Sequence, residues 1–466
     1  MSLEDEALFL DKLSEATEDI QIDMAIEEIL SNRTLQEKEL LHRLTVYPVP
    51  VPIEGVRKIS LDLAIKVLDS LVSFSLVEES FNYEYEVKEY QISALVFEFI
   101  IDKVILSKEV KVLASNHQVY QFINERKNIN QALIVHKSLL KSNQKNLADN
   151  FVLSWISNEL SKKGQYIKLL MNWLFPLAES ENITIRYKAI AQIGIQYFHL
   201  GNYERAIKYL ETAVNTYIKD EDDDTKLTIY RNLVLCYKQI GDYEKVSEYS
   251  DKASKLSIDL NSNPEKELVL LINVAEEYFV KNKIEEALEN AEKALDMSKE
   301  LNDKFSECTV LNNIANYYIK MENIKEARLY NQKSLDISKK SNYEKLRGIG
   351  LITESEIYDK SESFGEALKR LQEALALFSK IYDRPNISLT FFRLGIHHLK
   401  QGTHMGAMVS FSSAYLIAKE IKYFKVLNGL QKIEKKLGFS SSNWDEVINN
   451  HKFKKHFNML AKYSKN

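Results

Sequence analysis

Small residues recur along most of this chain in one fixed phase. Ala206, Val246, Ala287, Ala327, Ala367 and Ala407 follow one another at spacings of 40 or 41 residues. A second row, Ala213, Ala253, Ala294, Ser334, Ala374 and Ala414, lies seven residues later, and Tyr197, Tyr237, Tyr278, Tyr318, Tyr358 and His398 stand nine residues before the first. Large and small residues held in register at this period predict one helical hairpin per repeat. Such a hairpin cannot bury its apolar face alone, so neighbours are expected to stack into a superhelix with a continuous core. The pattern predicts six hairpins over 183–426, with capping helices over 427–466 and a helical arm with weaker hairpins over 106–182.

Residues 1–105 read differently. Leu8, Leu10, Leu13, Ile20, Ile22 and Ile29 among carboxylates predict one or two amphipathic helices. A further helix from Thr34 carries Leu35, Leu40, Leu41 and Leu44 on a stripe until Pro48, Pro50 and Pro52 stop it. The run LDLAIKVLDSLVSFSLVEES reads as a helix ending in a strand, and NYEYEVKEYQIS alternates as a second strand before a helix from Ala94. Three helices and a hairpin make a winged-helix pattern.

Composition supports an all-α body: Gly (13) and Pro (6) are scarce, as long helices with short connections require. Cys236 and Cys308 fall on apolar helix phases and read as buried thiols in a reducing compartment. No window reaches the roughly 18 consecutive apolar residues of a membrane helix, and the start MSLEDEALFL is acidic where a signal peptide is basic, so cytoplasmic residence is expected. The net charge of -5 hides an asymmetry. Residues 1–105 hold about 22 acidic and about 9 basic side chains, leaving the remainder about eight units positive. This weighs against duplex binding by the winged-helix pattern. Its recognition helix, Ile65 to Phe74, offers Lys66 alone against Asp69, whereas phosphate contacts need several cations on one face. A structural or protein-docking module is the better reading.

The repeat KAIAQIGIQYFHLGNYERAIKYLETAV, with Gly194 and Tyr197, the turn Gly201-Asn202-Tyr203, then Ala206, Leu210 and Ala213, resembles the tetratricopeptide pattern with helices about a turn longer than in the 34-residue version. The runs LLHRLTVYPVPVPIEGV, LDSLVSFSLVEES and YQISALVFEFI resemble the winged-helix module of STAND-class signal-transducing NTPases of the MalT and NLR kind, and the segment from NHQVYQF to MNWL resembles the arm that leads into their repeats. The resemblance implies a right-handed superhelix behind a small winged-helix-like module, acting as the sensor or regulatory half of a signalling switch. No glycine-rich loop ending in Gly-Lys-Ser or Gly-Lys-Thr occurs in the chain, so the nucleotide-binding core of that class is missing. The abrupt acidic start after Met-Ser-Leu is read as that of a piece of a larger protein.

In tetratricopeptide proteins the first helix of each hairpin lines the concave face, which implies two rows of candidate contacts. One row holds Gln192, Asn232, Asn273, Asn313, Thr353 and Arg393. The other holds Ala191, Arg231, Ile272, Asn312, Ile352 and Phe392, with Asn316 and Lys320 further along the fourth repeat. A carboxamide offers a donor and an acceptor and can pair with both groups of an extended peptide backbone. Arg231, Lys238, Lys320 and Arg393 add selection for an acidic segment or terminal carboxylate. The same asparagines also suit hairpin packing and groove solvation, and both readings stay open.

Weaker candidates are His397, His398 and His404, read as structural rather than metal-binding, and the acidic run at 221–225, read as a solvated turn. Ser, His and Asp form no recognisable catalytic spacing. The expectation is therefore a non-catalytic module that binds a protein or peptide and needs no cofactor. The alternatives are a peptide-responsive transcription regulator with a DNA-binding winged helix and a plain assembly scaffold. Oligomeric state is left open.

Overall fold

The computed structural model describes residues 17–61, 66–216, 223–258, 264–438 and 441–464. The expected amphipathic start around Leu8, Leu10 and Leu13 and the first two residues of the acidic run 221–225 lie outside the described residues. Contacts divide the chain into two units, residues 1–152 and 153–466, and the division falls within the stretch expected as a helical arm.

The first unit runs α1 (Glu18–Ser31), α2 (Leu35–Leu44), β1 (Val51–Pro52), α3 (Ile53–Ser60), α4 (Lys66–Ser73), β2 (Val77–Asn82), β3 (Val87–Ile92), α5 (Ala94–Ile101), α6 (Lys108–Asn124), α7 (Ile129–Lys141) and α8 (Lys145–Phe151). A capping box starts α2: the Thr34 hydroxyl accepts from the Glu37 amide at 3.2 Å, and the Glu37 carboxylate accepts from the Thr34 amide at 2.7 Å. The prolines that end α2 have no N–H to donate, so the following strand is only two residues long and sits at the sheet edge. The sheet is antiparallel in the order β1-β3-β2, with Val51 opposite Tyr90 and Val77 opposite Ile92. Leu40, Leu44, Val56, Ile59, Leu71 and Ile92 fill the core between helices and hairpin, a winged-helix-like arrangement.

The second unit opens with α9 (Ser157–Lys162), α10 (Tyr166–Leu169) and α11 (Phe175–Ala178). Six helical pairs follow: α12 and α13 (Ile183–His199, Tyr203–Thr216), α14 and α15 (Asp223–Ile240, Tyr243–Ile258), α16 and α17 (Pro264–Val280, Ile284–Glu300), α18 and α19 (Lys304–Lys320, Ile324–Lys340), α20 and α21 (Glu344–Lys360, Phe364–Lys380), and α22 and α23 (Arg384–Lys400, His404–Glu420). The chain then continues through α24 (Phe424–Leu437), α25 (Ser441–Asn449) and α26 (Lys454–Ser464). The last two cover α23: Trp444 is fully buried against Phe411, and its indole N–H donates to Glu434 at 2.6 Å.

The rows of small residues sit where helices touch. Ala206, Ala287, Ala327, Ala367 and Ala407 and, in the second row, Ala213, Ala294, Ser334, Ala374 and Ala414 are almost wholly buried, and a Cβ on Gly194 would come within 2.7 Å of Leu210. The tyrosine row fills space within hairpins rather than between them. Tyr197 stacks on Tyr209 of its own pair, and Tyr237 on Tyr249 and Tyr318 on Tyr330 repeat the contact at 5.5–5.7 Å.

Two features interrupt the regular stack. Each pair packs its second helix on the first helix of the next pair, but α15 and α16 make at most marginal contact among the described residues. Both surfaces are consequently under-packed. Leu270 on α16 is 58 % exposed, while Ala189, Ile229, Val310 and Thr390 in the same phase are at most 1 % exposed. On α15, Val246 and Ala253 are only partly buried where the other five pairs bury the same positions.

The second feature is a seam on which the coil meets itself. Three early turns read Gly164-Gln165-Tyr166, Gly201-Asn202-Tyr203 and Gly241-Asp242-Tyr243, each glycine with φ between 72° and 81°. Asn282, Glu322 and Glu362 hold the equivalent positive-φ place in the next three pairs, so the backbone alone does not require glycine. Close approach does: a Cβ on Gly201 would lie 2.7 Å from Pro385, and one on Gly164 would lie 3.0 Å from Ile381. Gly241 and Tyr243 rest on Phe424. Tyr203 belongs to the same core cluster as Ile381 and Tyr423, and Lys422 pairs with Glu204 at 2.5 Å. The early turns thus sit edge-on upon the connections that precede α22 and α24.

Candidate functional site

Charged side chains from three first helices act on the start of α24. Lys238 on α14, Glu276 on α16, Arg393 on α22 and Lys425 at the start of α24 come from distant parts of the chain, yet Lys425 feels the charge of the other three. Helix α24 packs on both α22 and α14, and the contact of Phe424 with Gly241 and Tyr243 places Lys425 beside the end of α14. Lys425 reaches solvent but is crowded by protein. Burial, with the cations Arg393 and Lys238, depresses its pKa, and Glu276 partly offsets this.

Within the first row of candidates, Gln192 and Asn313 are partly exposed and Asn273 is exposed, and none of the three amides has a hydrogen-bond partner among the described residues. Asn232 is partly exposed and donates to the Thr228 carbonyl one turn back at 2.8 Å. Arg393 pairs with Glu356 of the preceding pair at 3.1 Å and keeps 40 % of its side chain exposed. Arg231, Lys238 and Lys320 are exposed and lack a carboxylate within 4 Å among the described residues.

The second row behaves otherwise. Asn312 is 5 % exposed, and its amide donates to Asn331 at 3.2 Å and to Thr353 at 3.0 Å, while Asn331 donates to the Gly350 carbonyl at 3.1 Å. It joins the fourth pair to the fifth and is not available to a ligand, which corrects its placement among the contact residues. Asn316 is intermediate: its amide donates to the Asn312 carbonyl at 2.9 Å, and its side chain stays partly exposed. Thr353 is likewise buried in this network. Sequence reasoning missed Lys425, Glu276 and Glu356, because their approach depends on how the coil closes rather than on local phase.

The remaining chemistry is internal. His397 sits against Asp359 at 2.9 Å, and His398 against the Thr403 hydroxyl at 2.9 Å. No group of three His, Cys, Asp or Glu suited to a metal ion occurs among the described residues. Cys236 and Cys308 are buried and free, and burial pushes their thiols up to about 12 and about 11. At the seam, Lys345 lies 3.6 Å from Asp383 and 3.5 Å from His199, which stacks on Tyr166 at 5.1 Å. Burial and the Lys345 charge push the imidazole of His199 well below its ordinary range. Beside it, the early turn of Asn202, Glu204 and Arg205 faces Arg384 and Lys422 across a polar cavity of about 270 Å³.

No helix among the described residues is long and apolar enough to cross a membrane. The sequence profile of the tetratricopeptide repeat matches residues 187–258 and 267–340. No curated protein matches the chain. Among solved structures, the chain is similar to a Signal Transduction ATPase with Numerous Domains protein with a tetratricopeptide repeat sensor from Pyrococcus horikoshii. Identity there is 18%, the TM-score is 0.53, and the match covers 97% of this chain and 68% of that one. It also matches a Rap protein complexed with Competence and Sporulation Factor, at 15% identity and TM-score 0.44 over 77% of this chain and 96% of that one. Aspartyl phosphate phosphatase F from Bacillus subtilis matches at 13% identity and TM-score 0.34, over 66% and 92%. The chain carries tetratricopeptide repeats, and its second unit is a tetratricopeptide solenoid of the kind that serves as a protein-interaction scaffold.

Proposed function

We propose that this protein is a non-catalytic receptor module whose lumen captures an extended protein segment, and that the first unit passes the bound state to an effector. The observation that carries the reading is the row of unpartnered carboxamides at Gln192, Asn273 and Asn313, flanked by the free cations Arg231, Lys238 and Lys320. Polar groups that neither pack nor pair are cheap to desolvate against a peptide backbone that satisfies them. The sensor role of the repeats in the Pyrococcus horikoshii protein fits this reading, and cytoplasmic residence is proposed with it. The first unit suits a protein partner better than a duplex. Its hairpin exposes Glu78, Glu79, Glu84 and Glu86, and phosphates would meet carboxylates there.

The test is affinity capture with the wild-type chain beside N232A/N273A/N313A, followed by calorimetry on the captured segment, with circular dichroism confirming that both proteins fold. An affinity loss of tenfold or more supports the lumen as the recognition surface. Equal affinity overturns it and moves recognition to the first unit or the outer face.

A further inference from the structure

The joint between the second and third pairs has two faces built to be covered. On α16, Leu270 is exposed at a phase that the other pairs bury. On α15, Val246 and Ala253 hold the phases that the other five pairs bury. Leu270, Val246 and Ala253 are apolar as in a packed junction, although Glu277 stands where the next joint has Tyr317, and the two faces would meet if the pairs stacked. Instead of stacking on the third pair, the second pair leans through Gly241, Tyr243 and α14 on α24. That leaning brings Lys238 toward Lys425 and Arg393, an arrangement that a fully stacked joint would move apart.

We propose that the first two pairs have two positions, one stacked on α16 and one closed on α24, and that an acidic peptide segment bound among Lys238, Arg393 and Lys425 selects the closed position. The inference rests on the lumen reading above and names its ligand class. Without a ligand, the cations Arg393 and Lys238 act on Lys425, only partly offset by Glu276, and oppose closure, while the bare apolar faces at the joint favour stacking. An anion that touches all three reverses the first effect and exists as a site only in the closed position. A ligand with such differential affinity shifts the population by the ratio of its two affinities.

The experiment is a distance measurement between spin labels on exposed positions, E244C with E285C across the joint, referred to E285C with K325C across the regular joint that follows. Cys236 and Cys308 are buried and stay unlabelled. Two populations are expected in the free protein, the shorter one matching the reference pair. Octaglutamate should deplete that shorter population at least fivefold, and octalysine should not. Lys425→Glu, folded by circular dichroism, should lose the response. A single population unmoved by octaglutamate overturns the proposal, and so does an unchanged response in Lys425→Glu. Binding is followed separately by anisotropy of labelled octaglutamate. A peptide that binds without moving the distances overturns this inference alone. A peptide that does not bind removes the acidic class as well, while the asparagine variants test the lumen reading independently.

Discussion

The joint between the third and fourth pairs and the joint between the second and third are made from the same repeat and end differently. At the former, Tyr317 is 2 % exposed and meets Phe279 of the preceding pair at 4.7 Å between ring centroids. At the latter, the residue in the phase of Tyr317 is Glu277, which lies exposed and pairs with Lys281 just past the end of its helix. Period alone therefore does not make a junction. A buried residue in the phase of Tyr317 accompanies each packed joint, as Cys236, Ile357 and His397 do, and where a carboxylate replaces it the chain finds another support, the seam.

Truncation at the two joints should separate them most widely. Tyr317→Ala removes a buried ring and is expected to cost about 3–5 kcal/mol in denaturant unfolding, whereas Glu277→Ala should change stability by less than about 0.5 kcal/mol. A comparable loss in both would mean that the second joint is stacked in solution. Glycine substitution probes the seam that takes its place. Gly201→Ala combines a positive φ with a Cβ 2.7 Å from Pro385, while Gly402→Ala has a positive φ and nothing within 4 Å. The first should cost about 1–2 kcal/mol more than the second.

Acid sharpens the same contrast. The folded pKa of His199 is depressed, so below about pH 6.5 the unfolded chain binds a proton that the folded one refuses, and stability present above that pH is lost as pH falls. Melting temperature should drop between pH 7 and pH 5. His199→Phe, which keeps the stack on Tyr166 but cannot protonate, should lessen the drop, although His117, held at about 4 by burial, contributes a similar loss in the first unit. An identical drop in the variant would remove the seam from the acid response. The smallest effect is expected at the partly exposed candidate: Asn313→Ala should leave stability within about 0.5 kcal/mol, against about 1–3 kcal/mol for Asn312→Ala, which takes one hydrogen bond from each of the buried partners Asn331 and Thr353.

Much of the fold was legible because Ala206 and its counterparts must be small wherever two helices touch, and a spacing of about 40 residues can repeat that demand only as stacked hairpins. The candidate site was legible only as two helical rows, and exposure sorts its residues differently. Asn312 and Asn313 are neighbours in sequence, yet about 100° of helix rotation buries one and leaves the other partly exposed. Lys425 lay beyond sequence reading because coil closure, not helical phase, brings it to Lys238. The three Gly-x-Tyr turns were in plain view, but a glycine in a turn is expected for its φ alone. Only the atoms of Pro385 and Ile381 show that here it also makes room.

That room fixes a number. Solenoids commonly gain or lose whole repeats at little cost, because each repeat touches only its neighbours. Here, in the closed position, the turns at Gly164, Gly201 and Gly241 meet Ile381, Pro385 and Phe424 across the coil. A hairpin added or removed between α16 and α21 would shift every one of these meetings by a repeat. The length of this array is thus set by its closure, and variation in repeat number is to be expected only beyond the seam.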